Sequence, residues 1–237
     1  MCGRYLILTE EENIETLRII AEINKKYLSF QPGEVFPGSL IPVLTNNTDS
    51  QNAQLMFWGF PFFGSSTIKT IINARAETIR EKPMFSQLCA AKRCIVPANG
   101  FFEWSAAAAK SKRKTKYAIR PQFNQNDSDI KDSSFFYMAG LYNSYSVKSL
   151  SKISGIDRMI SLLSTAVQLP QITQINCAVI ITTSASNQMK QIHDRMPILL
   201  SQKSANYWLS DTPINTIFQT GILSPSTENL LIQEASS

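Results

Sequence analysis

Short apolar runs broken by Gly, Pro and Asn dominate this chain, and helical periodicity surfaces in only a few places. Residues 5–8 read as a strand. Thr9 with Glu12 three residues on forms a capping box, and Ile14, Leu17, Ile20 and Ala21 follow at helical spacing to about Lys25. Pro32, Gly33, Pro37, Gly38 and Pro42 make residues 31–42 an ordered loop or a sharp turn into a strand at Val43-Leu44. A polar turn, residues 45–52, precedes a strand over 55–58 that Gly59, Pro61 and Gly64 interrupt. Residues 68–74 lead into a short polar segment, and Pro83 opens a helix to about Arg93. Residues 94–97 and 101–104 read as two strands joined by the turn Ala98-Asn99-Gly100.

Farther along, 117–120 and 135–141 are strands around an insert rich in Asn, Asp and Ser. Residues 143–176 form a long, mostly polar connection with helical spacing near Met159 to Val167. A buried-type strand at 177–183, a helix from about Ser186 to His193-Asp194-Arg195, a strand at 197–200 and a helix at 205–209 complete the pattern. No repeat and no second core is visible. The expectation is an α+β fold: one domain over 1–237, a mixed and largely antiparallel sheet curled toward a barrel, peripheral helices, and a long inserted loop at about 143–176.

Composition narrows the class. Hydrophobic residues make up 43% and charged residues 17%, the balance of a soluble globular protein. No apolar run reaches the roughly 18 residues of a membrane helix, and Glu10-Glu11-Glu12 stand where a signal peptide would be apolar. The expected setting is cytoplasmic or nuclear, with no membrane partner and reduced thiols. A net charge of +5 leans toward a polyanionic partner. The basic run of Lys110, Lys112, Arg113, Lys114 and Lys116 reads as a solvated hairpin tip before it reads as a nucleic-acid contact. Cys2, Cys89, Cys94 and Cys177 fit no zinc spacing, and His193 is the single histidine, so no metal or other cofactor is expected.

Candidate chemistry begins with Met1-Cys2-Gly3-Arg4-Tyr5. Removal of Met1 would leave Cys2 with a free α-amine beside its thiol, groups that titrate unperturbed near 8 and about 8.5. Such a 1,2-aminothiol can attack an acyl carbon with the amine as base, or close a thiazolidine on an aldehyde. An ordinary buried Cys is the alternative. Asn73 and Arg75, two apart after an Ile-Ile run, would project from one face of a strand end as a hydrogen-bonding amide and an anion clamp, or as a turn residue and a surface ion pair. Glu103 lies among Phe101, Phe102 and Trp104, where desolvation would raise its pKa and suit it to acid–base work, unless it faces water. His193 beside Asp194 and Arg195 is either a proton relay or a structural histidine. Trp58, in an aromatic cluster from Phe57 to Phe63, could stack on an unpaired base or form a core edge.

Five blocks in order carry a family resemblance: Met-Cys-Gly-Arg-Tyr; Phe57-Trp58-Gly59; Ile72-Asn73-Ala74-Arg75-Ala76-Glu77-Thr78; Arg93-Cys94 through Gly100-Phe101-Phe102-Glu103-Trp104; and Ile192-His193-Asp194-Arg195-Met196-Pro197. Together they resemble the SOS-response-associated peptidase family, the abasic-site processing proteins. The resemblance implies a monomeric single-domain sensor of abasic sites in single-stranded DNA. Its N-terminal Cys forms a thiazolidine crosslink, with abasic-site lyase chemistry as a side branch. Carried over residue by residue, Cys2 matches the nucleophile and Asn73 the Asn that positions it. Glu103 matches the catalytic Glu, and His193 the histidine beside the sugar and its phosphate. Arg4 and Arg75 match phosphate-binding arginines, and Trp58 a residue of an aromatic wall against the DNA. Glu34-Val35-Phe36-Pro37 keeps only the Pro of the family's Asn-x-x-Pro segment. Two rivals remain: an N-terminal-nucleophile peptidase or amidohydrolase using the same Cys2, and a non-covalent single-stranded DNA binding module.

Overall fold

The apolar runs become strands and the periodic stretches helices. A computed structural model describes residues 2–9, 14–27, 30–46, 49, 52–62, 69–105, 114–123, 135–150, 156–167 and 172–235. In order these form β1 (Tyr5–Ile7), α1 (Ile14–Lys26), β2 (Gly33–Val35), β3 (Leu40–Thr45), β4 (Ala53–Trp58), β5 (Phe60–Phe62), β6 (Lys69–Ile71) and β7 (Asn73–Arg75). Next come α2 (Pro83–Ala91), β8 (Arg93–Ala98), β9 (Gly100–Trp104), β10 (Lys116–Gln122), β11 (Phe136–Ser146), α3 (Val147–Leu150) and α4 (Ile156–Val167). The last are β12 (Gln174–Ser184), β13 (Arg195–Pro197), β14 (Leu199–Leu200), α5 (Gln202–Leu209), α6 (Ile214–Gln219) and β15 (Asn229–Glu234).

The run Cys177 to Ile181 offers no polar position to face water, and it is buried throughout. It lies in β12, which closes a ring: β12 pairs with β4 in parallel, β4 with β3, β3 with β8, β8 with β11, and β11 returns to β12. The expected curl toward a barrel is therefore complete. Closure leaves these strands without free edges and sends alternate side chains into one core. Gly140 of β11 is required where the ring is tightest. A Cβ there would lie 2.9 Å from the Val179 carbonyl oxygen and 3.0 Å from Cys94 Sγ. Around the ring, α1 buries Ile19, Ile20 and Ile23, and Trp208 of α5 donates its indole N–H to the Cys94 carbonyl at 2.9 Å.

A second antiparallel sheet has the order β15-β10-β9-β1-β2. This pairing corrects one expectation. Residues 94–104 are not a hairpin, because β8 belongs to the barrel and β9 to the second sheet. The chain changes sheets at Asn99, whose buried Oδ1 accepts from the Leu8 N–H at 2.8 Å and the Thr16 hydroxyl at 3.3 Å. The polar residue that looks like a turn former instead ties both sheets to α1.

Other boundaries shift for similar reasons. Residues 31–42 include β2, which pairs with β1. The connection expected at 143–176 is shorter: Asn143 to Ser146 continue β11, and Gln174 to Asn176 begin β12, with Ser144 donating to Asn176 Oδ1 at 2.6 Å. Between them stand α3 and α4. The helix expected from Ser186 is only a 3-10 turn, Met189–Gln191. β12 and β13 pair through Ser184 and Arg195, so the ten-residue link must return on itself too soon for a longer helix. Glu12 of the capping box, the basic run at 110–113 and most of the insert before Phe135 lie outside the described residues. Among the described residues no helix is long and apolar enough to cross a membrane.

Candidate active site

Two sheets meet where the N-terminal segment enters β1, and the four sequence-selected residues gather at that seam. Asn73 opens β7, which lies parallel to β12 in the barrel sheet, and its Nδ2 donates to the Cys2 carbonyl at 2.9 Å. Its Oδ1 is buried without a hydrogen-bond partner among the described residues. Glu103 lies in β9 of the second sheet and is 3% exposed. Burial pushes its carboxyl above the usual carboxylate range, and the neighbouring His193 offsets this only in part. That is the environment expected from its aromatic flanks.

Cys2 is fully buried, and its thiol points to the Arg4 carbonyl at 3.9 Å. Burial pushes the thiol far above its ordinary range, and Glu103, whenever it is ionised, pushes it further. The unperturbed value of about 8.5 therefore does not apply to this thiol: in this arrangement the sulfur keeps its proton at neutral pH. The Tyr5 hydroxyl shares the environment. It is buried without a partner among the described residues, and burial and then Cys2 raise its pKa.

His193 follows the 3-10 turn. Its Nδ1 accepts the Arg195 N–H at 3.1 Å and lies 2.9 Å from Asp194 Oδ1. The first contact needs a bare Nδ1 and the second an N–H there, so the two suit different tautomers of the ring. Arg195 also grips Glu77 through two bonds of 2.6 and 2.9 Å and donates to the Thr182 carbonyl at 2.9 Å. The Arg195 bonds hold the Glu77 carboxyl below its usual range. This pair fastens the end of β7, with Asn73, to the start of β13, beside His193.

The three residues expected to contact DNA divide. Arg75 is exposed at the end of β7, and its guanidinium has no partner among the described residues. Arg4 lies between the rings of Phe36 and Trp104, 4.5 and 4.7 Å from their centroids, and bonds Glu34 at 2.9 Å. Trp58 is a correction. It is fully buried, donates to the Ile72 carbonyl at 3.1 Å, and meets Tyr5 edge-on at 5.3 Å. β4 runs through the closed barrel, so this indole is core and offers no face to a base. Gly59 behind it has φ +129°, and a Cβ there would strike Thr70 Cγ2 at 2.1 Å.

Two cavities lie elsewhere. One of about 940 Å³ is lined by Leu199, Tyr207 and Thr227, and one of about 630 Å³ by Asn187, Lys190 and Ser226. Neither touches the seam. Among the described residues no three His, Cys, Asp or Glu side chains converge as metal ligands would.

The family model described as SOS response associated peptidase (SRAP) matches residues 1–236. The chain belongs to that family. It is 31% identical over 220 residues to the abasic site processing protein YoaM of Bacillus subtilis, covering 91% of this chain and 81% of YoaM. The abasic site processing protein YoqW of the same organism is 28% identical over 234 residues, covering 95% and 87%. A crystal structure of a protein from Bacteroides thetaiotaomicron superposes with a TM-score of 0.69 at 25% identity, covering 99% of this chain and 92% of that one.

Sequence reasoning left four residues in or beside this candidate site without a role in it: Tyr5, Glu34, Glu77 and Lys116. Tyr5 and Glu77 sit inside motif blocks, and that position was the available signal. Glu34 stood out only as a departure from the Asn-x-x-Pro segment and Lys116 only as the end of a basic run read as solvated; Lys116 is in fact buried and paired with Glu34, a contact made only when β2 and β10 are brought to the same sheet.

Proposed function

We propose that this SRAP protein captures abasic sites in single-stranded DNA, closing a thiazolidine between the deoxyribose aldehyde and the α-amine and thiol of mature Cys2. One observation carries the reading. Four distant segments converge so that Asn73 holds the Cys2 carbonyl at 2.9 Å while Glu103 and His193 stand within electrostatic reach of each other, and Glu103 within reach of the Cys2 thiol.

With Met1 in place the Cys2 nitrogen is an amide, so capture begins after Met1 is removed. The freed amine adds to the C1′ aldehyde of the opened sugar to give a carbinolamine. A carboxylic acid then protonates the departing hydroxyl, water leaves and an imine forms. Glu103 suits that task because burial favours its protonated form. The Cys2 sulfur adds to the imine carbon while its proton passes to the nitrogen, closing the five-membered ring with one water lost overall. A thiol that keeps its proton until this step is compatible with the raised pKa, because amine attack comes first. Tethering of both nucleophiles on adjacent carbons favours closure. The same imine can lose the 3′ phosphate by β-elimination, a lyase outcome.

The test is a denaturing gel with an oligonucleotide carrying one abasic site, alongside intact-mass analysis. Mature protein is expected to give a shifted band that survives denaturant, and Cys2→Ala or chain retaining Met1 to give none. DNA binding without a band in mature protein would favour a passive binding module. Peptide or glutamine hydrolysis without a band would favour a hydrolase.

A further inference from the structure

Beside the seam, on the outer face of the second sheet, two cations share one carboxylate. Strand alternation puts Arg4 on the same side of β1 as Leu6, and Leu6 pairs with Glu34 on β2. Lys116 pairs with Trp104, two residues from Phe102 on the same face. The side chains meet accordingly. Arg4 Nη1 bonds Glu34 Oε1 at 2.9 Å, Lys116 Nζ bonds Glu34 Oε2 at 2.9 Å, and Lys116 lies 4.2 Å from the Phe102 centroid. Burial alone would raise the Glu34 carboxyl, but the bonds from Lys116 and Arg4 outweigh it and hold it below the usual range.

The two cations differ in access. Lys116 is buried, whereas the Arg4 side chain is 33% exposed. The Arg4 guanidinium carbon also lies over the rings of both Phe36 and Trp104, with Phe36 itself 45% exposed. A guanidinium fixed in this way, two residues from Cys2, presents a preset fork to a tetrahedral anion. Its present partner occupies that fork with a carboxylate oxygen.

We propose that Glu34 stands in for a DNA phosphate on Arg4, and that single-stranded DNA binds this face by displacing it while Lys116 keeps hold of the carboxylate. The displacement is feasible because a part-exposed ion pair is weak, whereas an Arg–phosphate pair can be bidentate. Lys116 prevents the released Glu34 from being left without a cation, which would otherwise oppose binding. Glu34 thus sets a threshold: an anion that cannot outcompete an internal carboxylate does not engage Arg4. The inference rests on the reading that the site handles single-stranded DNA.

The experiment measures binding of an unmodified single-stranded oligonucleotide by fluorescence anisotropy across a salt series. Glu34→Gln keeps the side chain's shape and removes its charge. It is expected to bind about two- to fivefold tighter, the equivalent of removing a weak ion pair. The salt dependence should steepen by up to about 0.7 in slope, because Arg4 then releases a counterion on binding. In an Arg4→Gln background the same change should have no effect, which separates competition for Arg4 from a general gain in positive charge. Unchanged or weaker binding by Glu34→Gln, or an equal gain without Arg4, overturns the inference. Crosslinking to an abasic oligonucleotide, run in parallel, keeps the two readings apart. Crosslinking wild type with no gain in Glu34→Gln refutes the role of Glu34 alone. A gain in binding with no crosslink from any mature protein refutes the proposed chemistry alone.

Discussion

At the scale of single residues, Glu103 sets stability against chemistry. Its carboxyl is pushed up by burial, so the folded state favours the protonated form. A group raised in this way costs stability as pH climbs from the ordinary carboxylate range through the raised value, and the cost vanishes below that range. Glu103→Gln removes the cost. Its melting temperature should exceed that of wild type at neutral pH, by roughly 2–4 °C for each kcal/mol recovered, and the gap should close below about pH 4. Crosslinking should meanwhile slow by about 10²–10⁴-fold with little change in DNA binding. A gap of opposite sign at pH 7 would mean that ionised Glu103 is what the fold prefers. Trp58 separates core from contact surface in the same way. Trp58→Phe keeps most of the packing but removes one of the two hydrogen bonds to the Ile72 carbonyl, which keeps that from the Ile180 N–H, at a cost of about 0.5–1.5 kcal/mol. Chemical denaturation should register that loss while oligonucleotide affinity stays level. A selective fall in affinity would restore the indole as a DNA contact.

Among the elements, the seam depends on how the chain passes between sheets. Asn99 accepts from the Leu8 amide and the Thr16 hydroxyl, so one side chain ties β1, α1 and the β8-to-β9 crossing together. Asn99→Ala leaves those donors without this acceptor and should cost about 1–3 kcal/mol in denaturant unfolding. The loss should come with slower crosslinking, because the segment carrying Cys2 enters β1 just ahead of Leu8. An exposed turn residue, the role Ala-Asn-Gly suggests when read locally, would change neither. Local signals were reliable for the existence of β1, β4, β8, β9, β10, β11 and β12, since apolar runs bounded by Gly, Pro or Asn need little beyond neighbouring residues to be read. They failed at 186–193, where closure between Ser184 and Arg195 leaves a 3-10 turn in place of the expected helix.

For the whole molecule, the four thiols report on the proposed maturation. Cys89, Cys94 and Cys177 are buried structural cysteines, with Cys89 pushed up to about 11 and Cys177 to about 12 by burial. Native protein exposed to a thiol reagent at neutral pH should therefore leave these three unlabelled until it unfolds. Reaction at Cys2 should appear only after Met1 is removed and should be blocked by prior capture of an abasic oligonucleotide. Rapid labelling of two or more thiols in native protein would contradict the packing of the barrel. Read alone, the sequence determined the α+β class and the curl toward a barrel, and its motif blocks singled out Cys2, Asn73, Glu103 and His193 as candidates. Periodicity, turn chemistry and motif blocks each live within a few neighbouring residues. Tertiary structure decided what those residues experience: a thiol that keeps its proton, a carboxyl raised by its surroundings, a tryptophan enclosed in the core, and Arg4 already engaged by Glu34. Burial and ion pairing depend on residues far apart in the chain, and no local pattern records which of them the closed barrel and the second sheet will bring together.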